Sequence, residues 1–242
     1  MADGVQFPAV RVSCQRCDVR GRAICADCAP AELEELDRIK LYRRFAAGEM
    51  IAWAGERMPM IGSVIEGVAS LSSTLPDGRR QTVGLMLPSD FLGRPGRDRA
   101  GYDVQAATEV TFCMFRAQEF ERLLERSPRL SHRLLEMKLD ELDVAREWMV
   151  LLGRKTARER IASLLVMFGE REAGARDGTS GTIRFPLRIT REAMADYLGV
   201  TIETVSRQLS QLRREGLIRL LESRGVEISD FAALRREAGG PE

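Results

Sequence analysis

The chain has almost no histidine: His132 is the single one among 242 residues. Proton transfer near neutral pH leans on histidine more than on any other side chain. No Ser/His/Asp set, glycine-rich phosphate loop or cluster of general bases takes its place, so the sequence offers an enzyme little to work with. Long apolar runs are missing too. None approaches the roughly 20 residues that span a bilayer. The first residues, Met1-Ala2-Asp3-Gly4-Val5, carry neither a basic stretch nor an apolar core, so no secretory signal is expected and the protein should work in the cytoplasm. Net charge is also lacking: 37 Lys and Arg stand against 36 Asp and Glu, which excludes a global polyanion-binding surface. The balance tilts only locally, with 16 basic and 13 acidic residues over 151–242 and 21 against 23 over 1–150. A nucleic-acid partner is therefore sought toward the C-terminus.

Cysteine, by contrast, is concentrated. Cys14 and Cys17 form one C-x-x-C pair and Cys25 and Cys28 a second, seven residues on; Cys113 stands far downstream. In a reducing compartment such clustering points to a metal rather than to disulfides. Soft thiolates suit zinc or an iron–sulfur centre. Cys14, Cys17, Cys25 and Cys28 could close a structural zinc knuckle and leave Cys113 as a small buried hydrophobe. The seven-residue gap is shorter than the usual spacing of about 12–20.

Ala31 to Ile39 has apolar residues at helical spacing. From about Leu41 to Phe115, short apolar runs alternate with turn signals such as Ala47-Gly48-Glu49, Pro76-Asp77-Gly78 and Pro88-Ser89-Asp90. That rhythm predicts an antiparallel barrel or sandwich, with Pro76-Asp77-Gly78 its clearest hairpin and Val110 to Phe115 its last strand. Ala117 to Leu152 reads as helical throughout. Leu135, Leu142 and Met149 recur every seventh residue, joined by Leu139 and Leu152. This stripe suits a pairing seam between two copies, or an ordinary amphipathic face packed on its own domain. Asp140, Glu141, Asp143 and Glu147 add negative charge that would make such pairing marginal. A further helix is expected from Arg158 to Phe168, then a loop from Gly169 to Thr182.

Leu187 to Gly216 carries the most specific pattern. Thr190 caps a short helix, Arg191 to Leu198; Gly199 supplies a turn; Thr201 caps a second helix, Ile202 to Arg214. Val205, Leu209 and Leu212 would face inward, and Glu203, Ser206 and Arg207 outward at the leading end. This is a helix-turn-helix whose second helix enters the major groove. Arginine reads guanine bidentately, a carboxylate accepts from cytosine, and serine does either. Thr190 and Arg191 suit phosphate contacts. Ile218 to Ile228, around Ser223-Arg224-Gly225, predicts a small hairpin wing. The bland alternative is a structural helix pair with a Glu203–Arg207 surface ion pair.

The run Leu198-Gly199-Val200-Thr201-Ile202-Glu203-Thr204-Val205-Ser206-Arg207 resembles the recognition segment of the Crp–Fnr family of bacterial transcription regulators, and its Glu, Ser and Arg look like the Fnr branch. The resemblance covers nearly the whole chain. It implies an α+β architecture: a cysteine arm over 1–30, an antiparallel β-roll sensory domain over 31–126, a dimerisation helix over 127–153 and a winged helix-turn-helix over 154–242. It further implies a homodimer on double-stranded DNA, at a palindrome like TTGAT-N4-ATCAA, with RNA polymerase as a partner. Arg207 would read the guanine, with Glu203 and Ser206 beside it.

Cyclic-nucleotide binding, common in the family, is not expected. Asp90 to Ala100 offers Arg99-Ala100 without the intervening hydroxyl, and Pro95 and the glycines oppose the required short helix. Haem ligation is not expected of a lone His132 on a helix. Fnr proteins instead ligate an oxygen-labile 4Fe–4S cluster with three arm cysteines and one from a β-roll strand. The resemblance assigns Cys14, Cys17 and Cys113 to it. The third ligand departs from the familiar spacing of five intervening residues: seven precede Cys25 and ten precede Cys28, which favours Cys25 and keeps Cys28 as the alternative. The expected function is an oxygen-responsive activator or repressor of anaerobic and microaerobic genes. A Crp–Fnr-type regulator with a zinc knuckle and another effector, or an iron–sulfur enzyme with an incidental helix-turn-helix, are the alternatives.

Overall fold

The computed structural model describes residues 13–172, 182–221 and 225–239. The chain divides into two compact units, residues 1–142 and 143–242. In the first, α1 (Pro30–Ile39) precedes eight strands: β1 (Leu41–Phe45), β2 (Met50–Ala52), β3 (Met60–Glu66), β4 (Ala69–Thr74), β5 (Arg80–Met86), β6 (Phe91–Leu92), β7 (Asp103–Ala106) and β8 (Val110–Arg116). They form two antiparallel four-stranded sheets, ordered β1-β8-β3-β6 and β2-β7-β4-β5. The β4–β5 hairpin turns through Pro76-Asp77-Gly78, where Asp77 Oδ1 accepts from the Arg79 N–H at 3.1 Å.

Strand β8 shows how alternation builds two cores from one strand. Val110, Phe112 and Met114 point between the sheets, where they pack with Phe45, Val64, Val104 and Leu92. Cys113 and Phe115 point the other way, into a second cluster with Ile24, Leu36, Ile61, Phe91, Phe120, Leu123 and Leu130. Burying one Phe or Ile of this kind stabilises by about 1.5–3 kcal/mol. The second cluster draws on the cysteine arm, α1, both flanking strands and the helices that follow. The arm is thus part of a core, and Cys113 faces it.

Two helices follow β8 within the stretch that reads as helical. α2 (Ala117–Arg126) stops at Ser127, and α3 (Pro128–Arg154) starts afresh. Pro128 has no N–H to continue a helix but suits a first helical position. The buried Ser127 hydroxyl accepts from the Leu130 N–H at 3.1 Å and caps the new helix.

In the second unit, the end of α3 is followed by α4 (Ala157–Glu172), β9 (Ile183–Pro186), α5 (Arg191–Leu198), α6 (Ile202–Arg214), β10 (Arg219–Leu220), β11 (Gly225–Ile228) and α7 (Phe231–Glu237). The three strands form an antiparallel sheet, β10-β11-β9. Helix α4 runs past the expected loop start at Gly169. There the glycine serves packing rather than turning: a Cβ would stand 2.7 Å from the Phe231 ring of α7. The expected loop over 173–181 and the wing tip at Ser223-Arg224 lie outside the described residues. Among the described residues, no helix is long and apolar enough to cross a membrane.

Candidate cysteine centre and DNA-reading helix

The arm begins with a 3-10 turn, Cys14–Arg16, and continues through successive turns to Cys28. Three ties hold it. Asp37 on α1 accepts from the Cys14 backbone N–H at 2.7 Å. Ile24, 2% exposed, plugs the second core. Arg133 of α3 donates to the carbonyl oxygens of Arg22 at 2.7 Å and Ala23 at 3.4 Å. These contacts place Cys25 and Cys28 against the same core that contains Cys113.

All five cysteines are free thiols; Cys14 and Cys113 are buried, the other three half-buried. Each of the shifted thiols is moved upward mainly by burial. Cys14 and Cys28 are pushed up to about 12, and Cys25 and Cys113 are also raised. Mutual repulsion adds to this. The Cys113 thiol responds to Cys14, Cys25 and Cys17, and the Cys28 thiol to Cys25 and Cys14. Sulfurs far apart in sequence are therefore close enough to act on one another. Ionising them together requires positive charge brought among them, which a metal centre supplies. Among the described residues, no three Cys, His, Asp or Glu side chains converge in metal-holding geometry. The chemistry of the donor set fits a thiophilic centre: soft sulfur ligands beside a largely apolar core, with an unpartnered buried hydroxyl, Ser63 Oγ, opposite Cys113 in the strand register. His132 is apart from it, its imidazole 72% exposed and 3.2 Å from Glu136.

The reading head is built as its caps dictate. Thr190 Oγ1 accepts from the Ala193 N–H at 3.1 Å and Thr201 Oγ1 from the Thr204 N–H at 3.3 Å. Between the helices Gly199 takes φ +63°, a left-handed value that costs glycine least. Val205, Leu209 and Leu212 anchor α6 in the core, which turns Glu203 and Arg207 to solvent and leaves Ser206 half-buried. Glu203 and Arg207 take local partners rather than each other. The Arg207 guanidinium donates to Thr204 Oγ1 at 3.3 Å, while backbone N–H and the Thr201 hydroxyl hold the Glu203 carboxyl below the usual range. Arg191 reaches Ser206 Oγ at 3.4 Å, linking the first helix to the second.

Along α3, Leu135, Leu139, Leu142 and Met149 are exposed, Met149 to 72%. Leu152 is half-buried; its Cδ2 lies 3.7 Å from where a Cβ on Gly199 would stand, so it packs beside the helix-turn-helix turn. The acidic charge on this helix is partly offset by Lys138–Glu141 at 2.6 Å and Arg146–Asp143 at 3.0 Å. Two further contacts had no signal in the sequence pattern. Trp148 of α3 stacks on Tyr197 of α5 with ring centroids 3.7 Å apart. Arg160 donates to the carbonyls of Leu152, Lys155 and Leu198, binding the ends of two helices together.

A β-sandwich unit and a winged-helix unit with a capped polar reading helix define a two-domain DNA-binding regulator. Residues 159–237 match the Crp-like helix-turn-helix domain and residues 42–127 the cyclic nucleotide-binding domain. The chain is 52% identical over 235 residues to the transcriptional activator protein FnrL of Cereibacter sphaeroides, covering 97% of this chain and 95% of that one. It is 39% identical over 219 residues to the nitrogen fixation regulation protein FixK of Bradyrhizobium diazoefficiens, covering 90% and 91%. The solved structure of FixK2 from Bradyrhizobium japonicum superposes with a TM-score of 0.74 at 27% identity, covering 84% of this chain and all of that one. The chain belongs to the Crp–Fnr family of transcription regulators, and these relatives are regulators rather than enzymes. The second domain match names a fold. Here Asp90 to Ala100 forms a short strand and turns, and Arg99 is engaged with the Gly55 carbonyl at 2.6 Å.

Proposed function

We propose that the protein is an oxygen-responsive transcription activator whose effector is a 4Fe–4S cluster held by Cys14, Cys17, Cys25 and Cys113. The observation that carries the reading is the gathering of the arm thiols around the one cysteine that β8 turns away from the sandwich core. Cys25 is favoured over Cys28 because its spacing from Cys17, seven residues against ten, is nearer the family's pattern. When bound, such a cluster supplies an oxygen-labile link between the arm and β8. The chain's own residues do the rest. Ile24 and Arg133 carry the order of the arm to the first turns of α3. Leu135, Leu139, Leu142 and Met149 offer a second copy an apolar seam, each side chain adding about 1.5–3 kcal/mol when buried. Pairing brings two α6 helices to successive major grooves at a TTGAT-N4-ATCAA-like palindrome, where Arg207, Glu203 and Ser206 meet base edges. Thr190, Arg191 and Thr201 flank the phosphates. RNA polymerase is the downstream partner.

The donor set alone also suits a zinc knuckle of Cys14, Cys17, Cys25 and Cys28, which would hold the arm without reporting oxygen. A gel-shift with the palindrome tests the proposal. Retardation without oxygen that disappears after exposure to air supports it; no binding in either condition overturns it.

A further inference from the structure

Beside the cysteines stand two groups that the ligand assignment does not use. Lys40, at the junction of α1 and β1, has a side chain only 7% exposed. Its ammonium lies 2.5 Å from Asp37 Oδ1 and 3.5 Å from Cys14 Sγ. Asp37 also accepts from the Cys14 N–H, so one carboxylate fixes both the lysine and the cysteine backbone. A lysine head ordinarily seeks water. This one is turned inward, toward Cys14 Sγ.

Ser63 approaches from the sheet. It is directly opposite Cys113 in the β3–β8 register. Cross-strand partners share a face. That face is set by Ile61 and Ile65 on either side of Ser63, both of which pack in the core that contains Cys113. Ser63 is 3% exposed, and its hydroxyl has no hydrogen-bond partner. Leaving a buried hydroxyl unsatisfied costs about 1–3 kcal/mol, so an apolar residue would serve an inert core better.

We propose that Lys40 and Ser63 are positioning and tuning residues for the thiolate centre, Lys40 donating an N–H hydrogen bond to the Cys14 sulfur and Ser63 an O–H hydrogen bond to that of its cross-strand partner Cys113. The inference rests on the assignment of Cys14, Cys17, Cys25 and Cys113 as ligands. Four thiolates around a centre carry excess negative charge beside an apolar core. Lys40 supplies the compensating cation, anchored by Asp37 so that it need not move. Ser63 finds in the charged sulfur the acceptor it lacks among the thiols. Hydrogen bonds and net charge at the sulfurs set the affinity and the reduction potential of such centres. Removing either donor therefore weakens metal binding and makes the centre easier to oxidise.

The test uses the full-length chain and its K40M, K40R and S63A variants. Cobalt(II) is titrated into the reduced, metal-free protein without oxygen and followed by thiolate-to-cobalt absorption. Iron and sulfide are then reconstituted, and the midpoint potential and the half-life of visible absorption in air are read. K40M should lose about 10–100-fold in cobalt affinity, S63A several-fold, and K40R should recover most of the loss. Both K40M and S63A should shift the potential negative and shorten the half-life in air, while the metal-free S63A protein, relieved of an unsatisfied hydroxyl, melts no lower than the wild type. Should K40M fail to fold, S63A, which removes one oxygen atom, carries the test. Unchanged cobalt affinity and air half-life in the folded variants overturn the inference and leave the ligand assignment standing. A wild-type chain that takes up neither cobalt nor a cluster overturns the assignment itself.

Discussion

Arg133 and Arg22 meet across 111 residues of sequence: the guanidinium of one donates to the backbone carbonyl of the other at 2.7 Å. The contact joins the cysteine arm to the first turns of the helix that bears the apolar seam. A hydrogen bond from a charged donor contributes about 1.5–3 kcal/mol, enough to change how often the arm lifts away. Arg133→Met should therefore free the arm, and limited trypsin digestion should cut faster after Arg16, Arg20 and Arg22. Cleavage at the wild-type rate would count against a docked arm.

The apolar stripe makes a separate prediction. Leu139→Glu places a charge in the seam and forfeits about 1.5–3 kcal/mol of burial per copy. Analytical ultracentrifugation of the anaerobic protein should show a monomer, with the isolated fold intact by circular dichroism. A persistent dimer would mean that the second copy binds elsewhere.

On α6, Arg207→Met removes the side chain proposed to read guanine. Operator affinity should fall by about 1–3 kcal/mol, and the variant should stop discriminating guanine from adenine at that position. Thr190→Ala should instead weaken all sequences alike, through a lost cap worth about 1 kcal/mol. Identical specificity profiles for the wild type and the Arg207 variant would remove Arg207 from base reading.

The Trp148–Tyr197 stack fixes the end of α3 to the first helix of the reading head. A double-mutant cycle of Trp148→Leu and Tyr197→Leu should give a coupling energy of about 0.5–1.5 kcal/mol in thermal unfolding. Additive effects would show that the two rings stabilise the unit independently.

Much of this architecture is legible in the residues because it depends on local signals. The period-two alternation of Val110 to Phe115 implies that Phe112 and Cys113 face opposite ways, and the caps Thr190 and Thr201 with Gly199 mark the reading head. What was not legible depends on tertiary contact. Nothing in the spacing marks Lys40 as inward-turned, Ser63 as a hydroxyl without a partner, or Arg133 as a partner of the arm. Pro128 could have revealed the α2–α3 break, since proline opens helices more readily than it continues them. Gly169 misled for a related reason: a glycine required by the Phe231 ring looks, in sequence, like a glycine required by a turn.

The central claim is that the gathered thiols hold an oxygen-labile cluster. The most direct measurement is the visible spectrum of the full-length protein isolated without oxygen, with its iron, sulfide and zinc content, followed as air is admitted. The account predicts a brown protein containing iron and inorganic sulfide, whose broad visible absorption bleaches in air. A colourless protein with one zinc per chain, indifferent to air, would contradict it.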